Sequence, residues 1–130
     1  MKLITLILGC WLSIAVQAGE ATAQEEQIAR HWLELVDQGD YLHSWEETDR
    51  KFQQRINARD WVSIVEYARD PLGHPASRKL IQVQRNNAGN NEQFVKLDFK
   101  TDFENRHVAT ERITLHQRDG NWQISNYLIH

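Results

Sequence analysis

The hydrophobic period of the chain changes near its middle, and this change constrains the fold more than any other feature. From Val95 to Phe103, apolar or threonine side chains alternate with lysine and aspartate, as in a strand with one buried face. Before residue 70, apolar residues instead recur every three or four positions, as on the buried side of a helix. Helices followed by strands predict an α+β domain, with N-terminal helices packed on one face of a C-terminal sheet.

Capping residues divide the first half into helices. Thr22 and Glu25 have the spacing of a capping box and predict the start of the first helix. Asp40 and Asn57 are favourable N-caps for later helices, and Pro71 ends the last one. The residues expected on the buried sides of these helices are Ile28, Trp32, Leu35, Val36, Phe52, Ile56, Trp61, Ile64, Val65 and Ala68.

The second half predicts four sequential strands joined by short turns. The segment Asn86 to Asn91 is rich in turn-forming residues, and Asp119-Gly120 is a strong signal for a β-hairpin. Short links between consecutive strands predict a four-stranded antiparallel meander. The strands are expected around Ile81 and Val83, from Val95 to Phe103, from Val108 to His116 and from Trp122 to Ile129.

The N-terminus carries the three-part pattern of a secretory signal peptide. A short basic start is followed by an apolar run from Leu3 to Val16, and small or modest residues then precede a cleavage site after Ala18. The run is shorter than the roughly 20 apolar residues that a membrane span needs, so no stable membrane anchor is expected. We expect residues 1–18 to be a signal peptide, with cleavage as late as residue 23. Residues 19–130 then form a single α+β domain that is exported, periplasmic or secreted.

Charge and motif content argue against several kinds of function. With 15 basic and 18 acidic residues, the formal net charge is −3, so nucleic acid is not an expected partner. Serine-nucleophile, phosphate-loop and paired-cysteine metal motifs do not occur in the sequence. Two histidine–carboxylate sets have helical ligand spacing, but each offers too few ligands, so no metal and no cofactor is expected. These sets are His31 with Glu34, and His43 with Glu46 or Glu47.

Glu111 is a charged residue on the predicted buried face of the third strand. It shares that face with Ile113 and Leu115, so its side chain is expected to point toward the helices. An unpaired carboxylate would be costly there. Either Glu111 forms a structural ion pair, with Arg78 or Lys79, or it is the acid of a pocket.

A pocket between the sheet and the helices would use a small set of polar and aromatic residues. Its polar groups are expected to be Glu111, Arg78 and Tyr127, and its walls Trp45 and Trp61. Trp61 also lies on an apolar helical stripe, which favours core packing as the other interpretation.

The order and spacing of several short segments form a pattern across residues 24–130. The pattern resembles the exported bacterial proteins known as domain of unknown function 4019. The resemblance implies an NTF2-like or cystatin-like architecture, in which a curved sheet wraps around helices, and it implies no catalytic residues. The segments that carry it are Trp32-Leu33, Leu35-Val36-Asp37, Gly39-Asp40-Tyr41, Ser44-Trp45, Phe52, Trp61, Pro71-Leu72-Gly73, Arg78, Phe99, Thr101, Phe103, Glu111, Thr114-Leu115, Asp119-Gly120, Trp122 and Tyr127.

Three functions are compatible with the sequence, and fold analogy does not choose among them. The first is a non-catalytic exported domain that binds a ligand or another envelope protein. The second is an isomerase- or dehydratase-type enzyme that uses Glu111 with Tyr127 or Arg78. The third is a structural accessory module for a partner encoded elsewhere. We expect the first, because no catalytic motif occurs and the expected mature chain is free of cysteine and rich in aromatic residues.

Overall fold

The computed structural model describes the backbone of residues 13–89 and 91–130, and the side chains from residue 22 onward except at positions 88 and 90. Within these ranges, four α-helices precede four β-strands. Consecutive strands are antiparallel neighbours, in the sheet order β1-β2-β3-β4. The predicted α+β class, with N-terminal helices and a four-stranded antiparallel meander, is confirmed. The elements are α1 (Ser13–Asp37), α2 (Tyr41–Glu46), α3 (Arg50–Arg55), α4 (Ala58–Arg69), β1 (Pro75–Gly89), β2 (Glu92–Phe103), β3 (Arg106–Arg118) and β4 (Asn121–Ile129).

The start of α1 differs from the prediction. Residues 1–12, which carry most of the predicted signal peptide, lie outside the described residues, and α1 begins at Ser13. Thr22 and Glu25 therefore lie inside a helix, and the predicted capping box is wrong. Glu25 is buried, and its two oxygens instead lie 2.8 and 2.6 Å from Nη1 and Nη2 of Arg85. This bidentate ion pair ties α1 to β1. Among the described helices, none is both long and apolar enough to cross a membrane.

Two of the three later helices, α3 and α4, begin at a side-chain cap, whereas the side-chain cap predicted at Asp40 does not form. Asn57 Oδ1 accepts a hydrogen bond from a first-turn amide at 2.9 Å, and α4 starts at the next residue, as predicted. Asp40 precedes α2 without a side-chain cap, and its carboxylate contacts His43 Nδ1 at 3.1 Å instead. Asp49 caps α3, a role that the sequence analysis does not assign, by accepting from the Phe52 amide at 2.7 Å.

The core forms where the helices pack against one face of the sheet. Helix stripes and alternate strand positions supply it, as the two hydrophobic periods predict. Ile64 is an exception, being 54% exposed, because the buried residues of α4 are Trp61, Val65 and Arg69, each four positions apart. The buried apolar cluster consists of Ala29, Trp32, Leu33, Val36, Phe52, Trp61, Val65, Val95, Leu97, Phe99, Ile113, Leu115, Ile124 and Tyr127.

A bulge in β1 sets which of its side chains face α1. The pairing of β1 with β2 skips Ile81, which is 53% exposed, so that Leu80 and Val83 both pack against the core. Because the bulge reverses the alternation, Arg78 on one side of it and Arg85 on the other both reach α1. An unbroken strand would turn them to opposite faces.

A second bulge lies in β4, close to the hairpin that precedes it. The hairpin predicted at Asp119-Gly120 is confirmed, with φ angles of 53° and 85° that match a type I′ turn. Beyond it, the pairing of β3 with β4 skips Ser125, so Ile124 and Tyr127 both face the core although they are three positions apart. The bulge therefore directs the Tyr127 ring toward the buried side of β3.

The turn after α4 docks on the turn between β2 and β3. Asn105 donates a backbone hydrogen bond to the Leu72 carbonyl at 3.0 Å and a side-chain hydrogen bond to the Pro71 carbonyl at 3.1 Å. Gly73 has a φ of +76°, and a Cβ atom at this position would lie 2.8 Å from Oε2 and 3.0 Å from Cβ of Glu104. The positive φ favours glycine, and a larger residue would also force Glu104 to shift.

Candidate functional site

A group of charged and hydroxyl side chains is buried between the sheet and the C-terminal ends of α1 and α4. Each of the four strands contributes one member, and the last residue of each of the two helices completes the set. Every member makes a hydrogen bond to another member. We call these residues the Glu111 cluster; they are Asp37, Arg69, Arg78, Thr101, Glu111 and Tyr127.

Glu111 is fully buried, with 0% of its surface exposed. Its Oε1 accepts from Thr101 Oγ1 at 2.6 Å and from Arg78 Nε at 2.9 Å. Its Oε2 accepts from the Tyr127 hydroxyl at 2.5 Å and lies 3.4 Å from Arg69 Nη1. Four donors thus surround the two oxygens, as a buried carboxylate requires. The predicted ion pair with Arg78 is confirmed.

Asp37 joins the two guanidinium groups from the side of α1. Its Oδ1 lies 2.6 Å from Arg69 Nη2 and 2.9 Å from Arg78 Nη2, and its Oδ2 lies 2.7 Å from Arg78 Nη1. Two carboxylates and two guanidinium groups therefore share one site, and their formal charges cancel. This balance limits the cost of burying four charges in the domain interior.

The cluster shifts the proton affinities of its members. Burial alone would raise the pKa of Asp37, but the hydrogen bonds and charges of Arg78 and Arg69 outweigh it and lower that pKa below its usual value. Burial, followed by the negative charge of Glu111, raises the pKa of Tyr127 well above its usual value. The Tyr127 phenol therefore stays protonated and donates to Glu111.

The structure brings three of the five predicted pocket residues together, and separates the other two from them. Glu111, Arg78 and Tyr127 meet in the cluster. The Trp61 indole nitrogen donates to Ser44 Oγ at 3.0 Å, and the Trp45 indole nitrogen donates to the Ile56 carbonyl at 2.9 Å. These two tryptophans link α2 to the segments that follow it. Neither tryptophan is hydrogen-bonded to Glu111. The described residues that donate to Glu111 are Arg69, Arg78, Thr101 and Tyr127.

Sequence analysis alone does not single out Asp37 or Arg69. Each lies four residues after a buried helix residue, namely Leu33 in α1 and Val65 in α4. Each therefore continues the buried side of its helix by one more turn. That spacing is a usable signal that a charged residue at a helix end points inward.

A cleft of about 320 Å³ reaches the cluster from solvent at Asp37 and Arg69. Asp37 and Arg69 line it, together with Tyr41, and Glu111 is not among its lining residues. The Tyr41 hydroxyl donates to Asp70 Oδ1 at 2.6 Å. Burial and this hydrogen bond raise the pKa of Tyr41 to about 12. The cleft therefore meets the cluster where Asp37 and Arg69 are already paired.

A larger open groove, of about 620 Å³, lies between α1 and the start of β4. We call it the α1–β4 groove. Its volume falls in the range of small-molecule sites. Among its lining residues, Trp32 and Ile124 are buried, whereas Ile28 and Trp122 are half-buried and the polar residues are exposed. The lining consists of Gln24, Gln27, Ile28, His31, Trp32, Glu47, Trp122, Gln123 and Ile124.

The histidine–carboxylate sets of the helices are exposed surface contacts. His43 Nδ1 lies 3.1 Å from Asp40 Oδ2, and His43 Nε2 lies 3.9 Å from Glu46 Oε2. His31 Nδ1 lies 3.9 Å from Glu34 Oε2. In the part of the chain that the structure describes, no three histidine, cysteine, aspartate or glutamate side chains are placed to hold a metal ion together.

Comparison with known protein families assigns the chain to one of them. Residues 28–127 match the family model described as "Protein of unknown function (DUF4019)". No curated protein matches the chain. The matched range contains every member of the Glu111 cluster, from Asp37 to Tyr127, and it confirms the family resemblance derived from the sequence. The chain therefore belongs to the DUF4019 family of proteins of unknown function.

Proposed function

We propose that this chain is an exported, non-catalytic binding domain whose ligand occupies the α1–β4 groove. The observation that carries the proposal is the contrast between two sites. Glu111 is fully buried, and the buried polar groups of its cluster are hydrogen-bonded except for Arg69 Nε, whereas the α1–β4 groove is open and carries amide groups that bond to no other described residue. The domain is proposed to have the NTF2-like or cystatin-like architecture, which hosts binding and catalytic members alike.

The state of Glu111 argues against its use as a catalytic acid or base. A general acid or base must reach a substrate proton directly or through one water molecule. Glu111 is fully buried, and Tyr127, Thr101 and Arg78 all donate to it at 2.9 Å or less. A substrate would have to displace these donors and leave buried charges unpaired. The cluster is better suited to holding α1, α4 and the sheet together.

The α1–β4 groove offers exposed polar side chains to a ligand, which the Glu111 cluster does not. Its exposed amides come from Gln24, Gln27 and Gln123, and none of these three side chains is hydrogen-bonded to another described residue. Half-buried Ile28 and Trp122 add apolar surface beside them. Free polar groups next to apolar surface are typical of a small-molecule site.

The proposed export is compatible with the position of the groove. Both predicted cleavage sites, after Ala18 and after Ala23, lie before Gln24. Either cleavage would leave all the groove residues in the mature chain. Intact-mass measurement of the protein from a periplasmic fraction tests export: a chain starting at Gly19 or Gln24 is expected, and a chain that retains Met1 would contradict it.

Ligand retention tests the binding role. The purified protein is dialysed against the small-molecule fraction of a cell-envelope extract, and the compounds that it retains are released by denaturation and identified by mass. We expect a compound of unchanged mass, and we expect Trp122→Val to retain much less of it. Arg112→Met, on the other face of the sheet, is the control and should retain as much as wild type. Equal retention by wild type and Trp122→Val, or conversion of the compound, would contradict the proposal.

A further inference from the structure

We propose that the ligand of the α1–β4 groove is a neutral oligosaccharide. This inference rests on the proposed function, because it names the chemical class of the ligand for the same groove. Three properties of the lining carry it: free amide groups, the near absence of charge, and a half-buried indole ring.

The amides match the hydrogen-bonding character of sugar hydroxyls. Gln24 and Gln27 of α1 and Gln123 of β4 each offer one carbonyl acceptor and two N–H donors. A sugar hydroxyl also both donates and accepts, so one amide can pair with two neighbouring hydroxyls. Gln24 and Gln27 lie on one side of the groove and Gln123 on the other, so a ligand between them can be bound from two sides.

The charge of the lining disfavours anionic ligands. Of the described residues that line the groove, none is lysine or arginine, and Glu47 is the single carboxylate. Phosphate, sulfate and carboxylate groups are normally bound by lysine, arginine or backbone N–H groups. A neutral ligand with many hydroxyls avoids repulsion from Glu47, and its hydroxyls can donate to that carboxylate.

Trp122 and Ile28 provide apolar surface suited to a pyranose ring. Both side chains are half-buried and line the groove from opposite elements, β4 and α1. A pyranose ring has a face of C–H groups and a rim of hydroxyls. An indole ring that lines the groove can pack against that face while the amides bind the rim.

The edge of β4 disfavours an extended peptide as the ligand. A peptide that adds a strand to a sheet needs free backbone groups along the edge. Thr48 already forms a parallel bridge to Ile124, and the Asp49 amide donates to the Ile124 carbonyl at 2.7 Å. This contact occupies the edge at the point where β4 meets the groove.

The test is isothermal titration calorimetry of the purified protein with maltotetraose, cellotetraose and fully N-acetylated chitotetraose, each at up to about 10 mM, which detects millimolar dissociation constants. Tetra-alanine and inorganic phosphate serve as comparison ligands. We expect at least one of the three oligosaccharides to bind and both comparison ligands to give no binding heat. If none of the three oligosaccharides binds, the saccharide proposal is overturned.

Two variants test whether the oligosaccharide binds in the α1–β4 groove. Gln27→Ala, on an exposed helix position that tolerates alanine, should weaken the binding about fivefold. Trp122→Val should weaken it about tenfold through loss of the ring contact. Gln54→Ala, on an exposed position of α3 outside the groove, is the matched control and should bind like wild type.

The outcomes separate this inference from the proposed function. If tetra-alanine binds and Gln27→Ala weakens that binding, the groove is a ligand site but the saccharide class is wrong. If an oligosaccharide binds equally well to wild type, Gln27→Ala and Trp122→Val, both the saccharide inference and the assignment of the groove fail.

Discussion

The hydroxyl of Tyr127 in β4 donates to Oε2 of Glu111 in β3 at 2.5 Å, deep in the domain. The contact depends on the bulge at Ser125, because an unbroken β4 would point the Tyr127 ring to the other face of the sheet. The bulge in β4 is therefore needed for Tyr127 to donate to the buried Glu111 carboxylate.

Tyr127→Phe should destabilise the protein while keeping its fold. The substitution preserves the ring, which packs against Trp32 at a centroid distance of 5.3 Å. It removes the hydroxyl that donates to Glu111 and accepts from Arg69 Nη1 at 3.3 Å. We expect the free energy of unfolding to fall by about 1–3 kcal/mol, the cost of losing a hydrogen bond to a buried charged group. Urea denaturation followed by circular dichroism measures it. A loss below about 0.5 kcal/mol would mean that Glu111 does not depend on this donor.

Arg78→Met should be among the most destabilising substitutions in the chain. It removes the Arg78 donors to Asp37 and Glu111. Arg69 is then the one guanidinium group left for the fully buried Glu111 and the partly buried Asp37. The expected loss in the free energy of unfolding is about 3–5 kcal/mol, again measured by urea denaturation.

Arg112→Met is the matched control for Arg78→Met. Arg112 also makes a bidentate ion pair, to Asp98 at 2.6 and 2.8 Å, but its side chain is 31% exposed on the other face of the sheet. Arg112→Met leaves one buried carboxylate, Asp98, without this partner, so we expect a loss of about 1–3 kcal/mol, smaller than for Arg78→Met. Similar losses for the two variants would contradict the distinction between the four-charge cluster and a single ion pair on the other face of the sheet.

Asp37 should make stability depend on pH in the acid range. The hydrogen bonds and charges of Arg78 and Arg69 outweigh burial and hold its pKa in the folded state below the usual value, so its ionised form favours folding. The stabilisation is therefore complete above the unfolded pKa, near pH 4, and is lost as the pH falls through the lower folded pKa. In denaturation experiments from pH 7 to pH 2, the stability advantage of wild type over Asp37→Asn should shrink below about pH 4. An advantage that stays constant across that range would show that Asp37 is not the titrating group.

Gly73→Ala should cost more stability than Gly120→Ala. Both glycines have positive φ angles, +76° and +85°, but only at Gly73 would the new Cβ meet a neighbour, Glu104 Oε2 at 2.8 Å. Gly120→Ala reports the backbone strain of a positive φ, about 1 kcal/mol, and Gly73→Ala adds the steric contact. Thermal unfolding of the two variants side by side measures the difference. Equal melting temperatures would mean that the Glu104 side chain moves away without cost.

The local patterns of the sequence predict the secondary structure and the inward direction of Glu111. Alternation places Glu111 on the same face as Ile113 and Leu115, and both of those residues are fully buried. Such patterns depend on neighbours within a few residues, so they can be recognised without knowledge of the fold. The same holds for the cap at Asn57 and the hairpin at Asp119.

The partners of the buried charges depend on contacts between distant segments. Arg69 lies 32 residues from Asp37 and 42 residues from Glu111 along the chain, so no local spacing indicates either contact. The bulges at Ile81 and Ser125 also decide which residues face the helices, and an irregularity in strand pairing has no strong local signal. The α1–β4 groove is likewise absent from the sequence analysis, because its lining comes from three separate segments.

The central claim is that the Glu111 cluster stabilises the fold while the α1–β4 groove binds the ligand. Mapping amide chemical shifts by NMR tests this claim most directly. The ¹⁵N-labelled protein is mixed with the small-molecule fraction of a cell-envelope extract, and the amide shifts are compared with those of the free protein. We predict that the shifted amides include those of Ile28, His31 and Gln123, while the amides of Arg78 and Glu111 stay in place. Shifts centred on Arg78 and Glu111, with the groove amides unmoved, would contradict this claim.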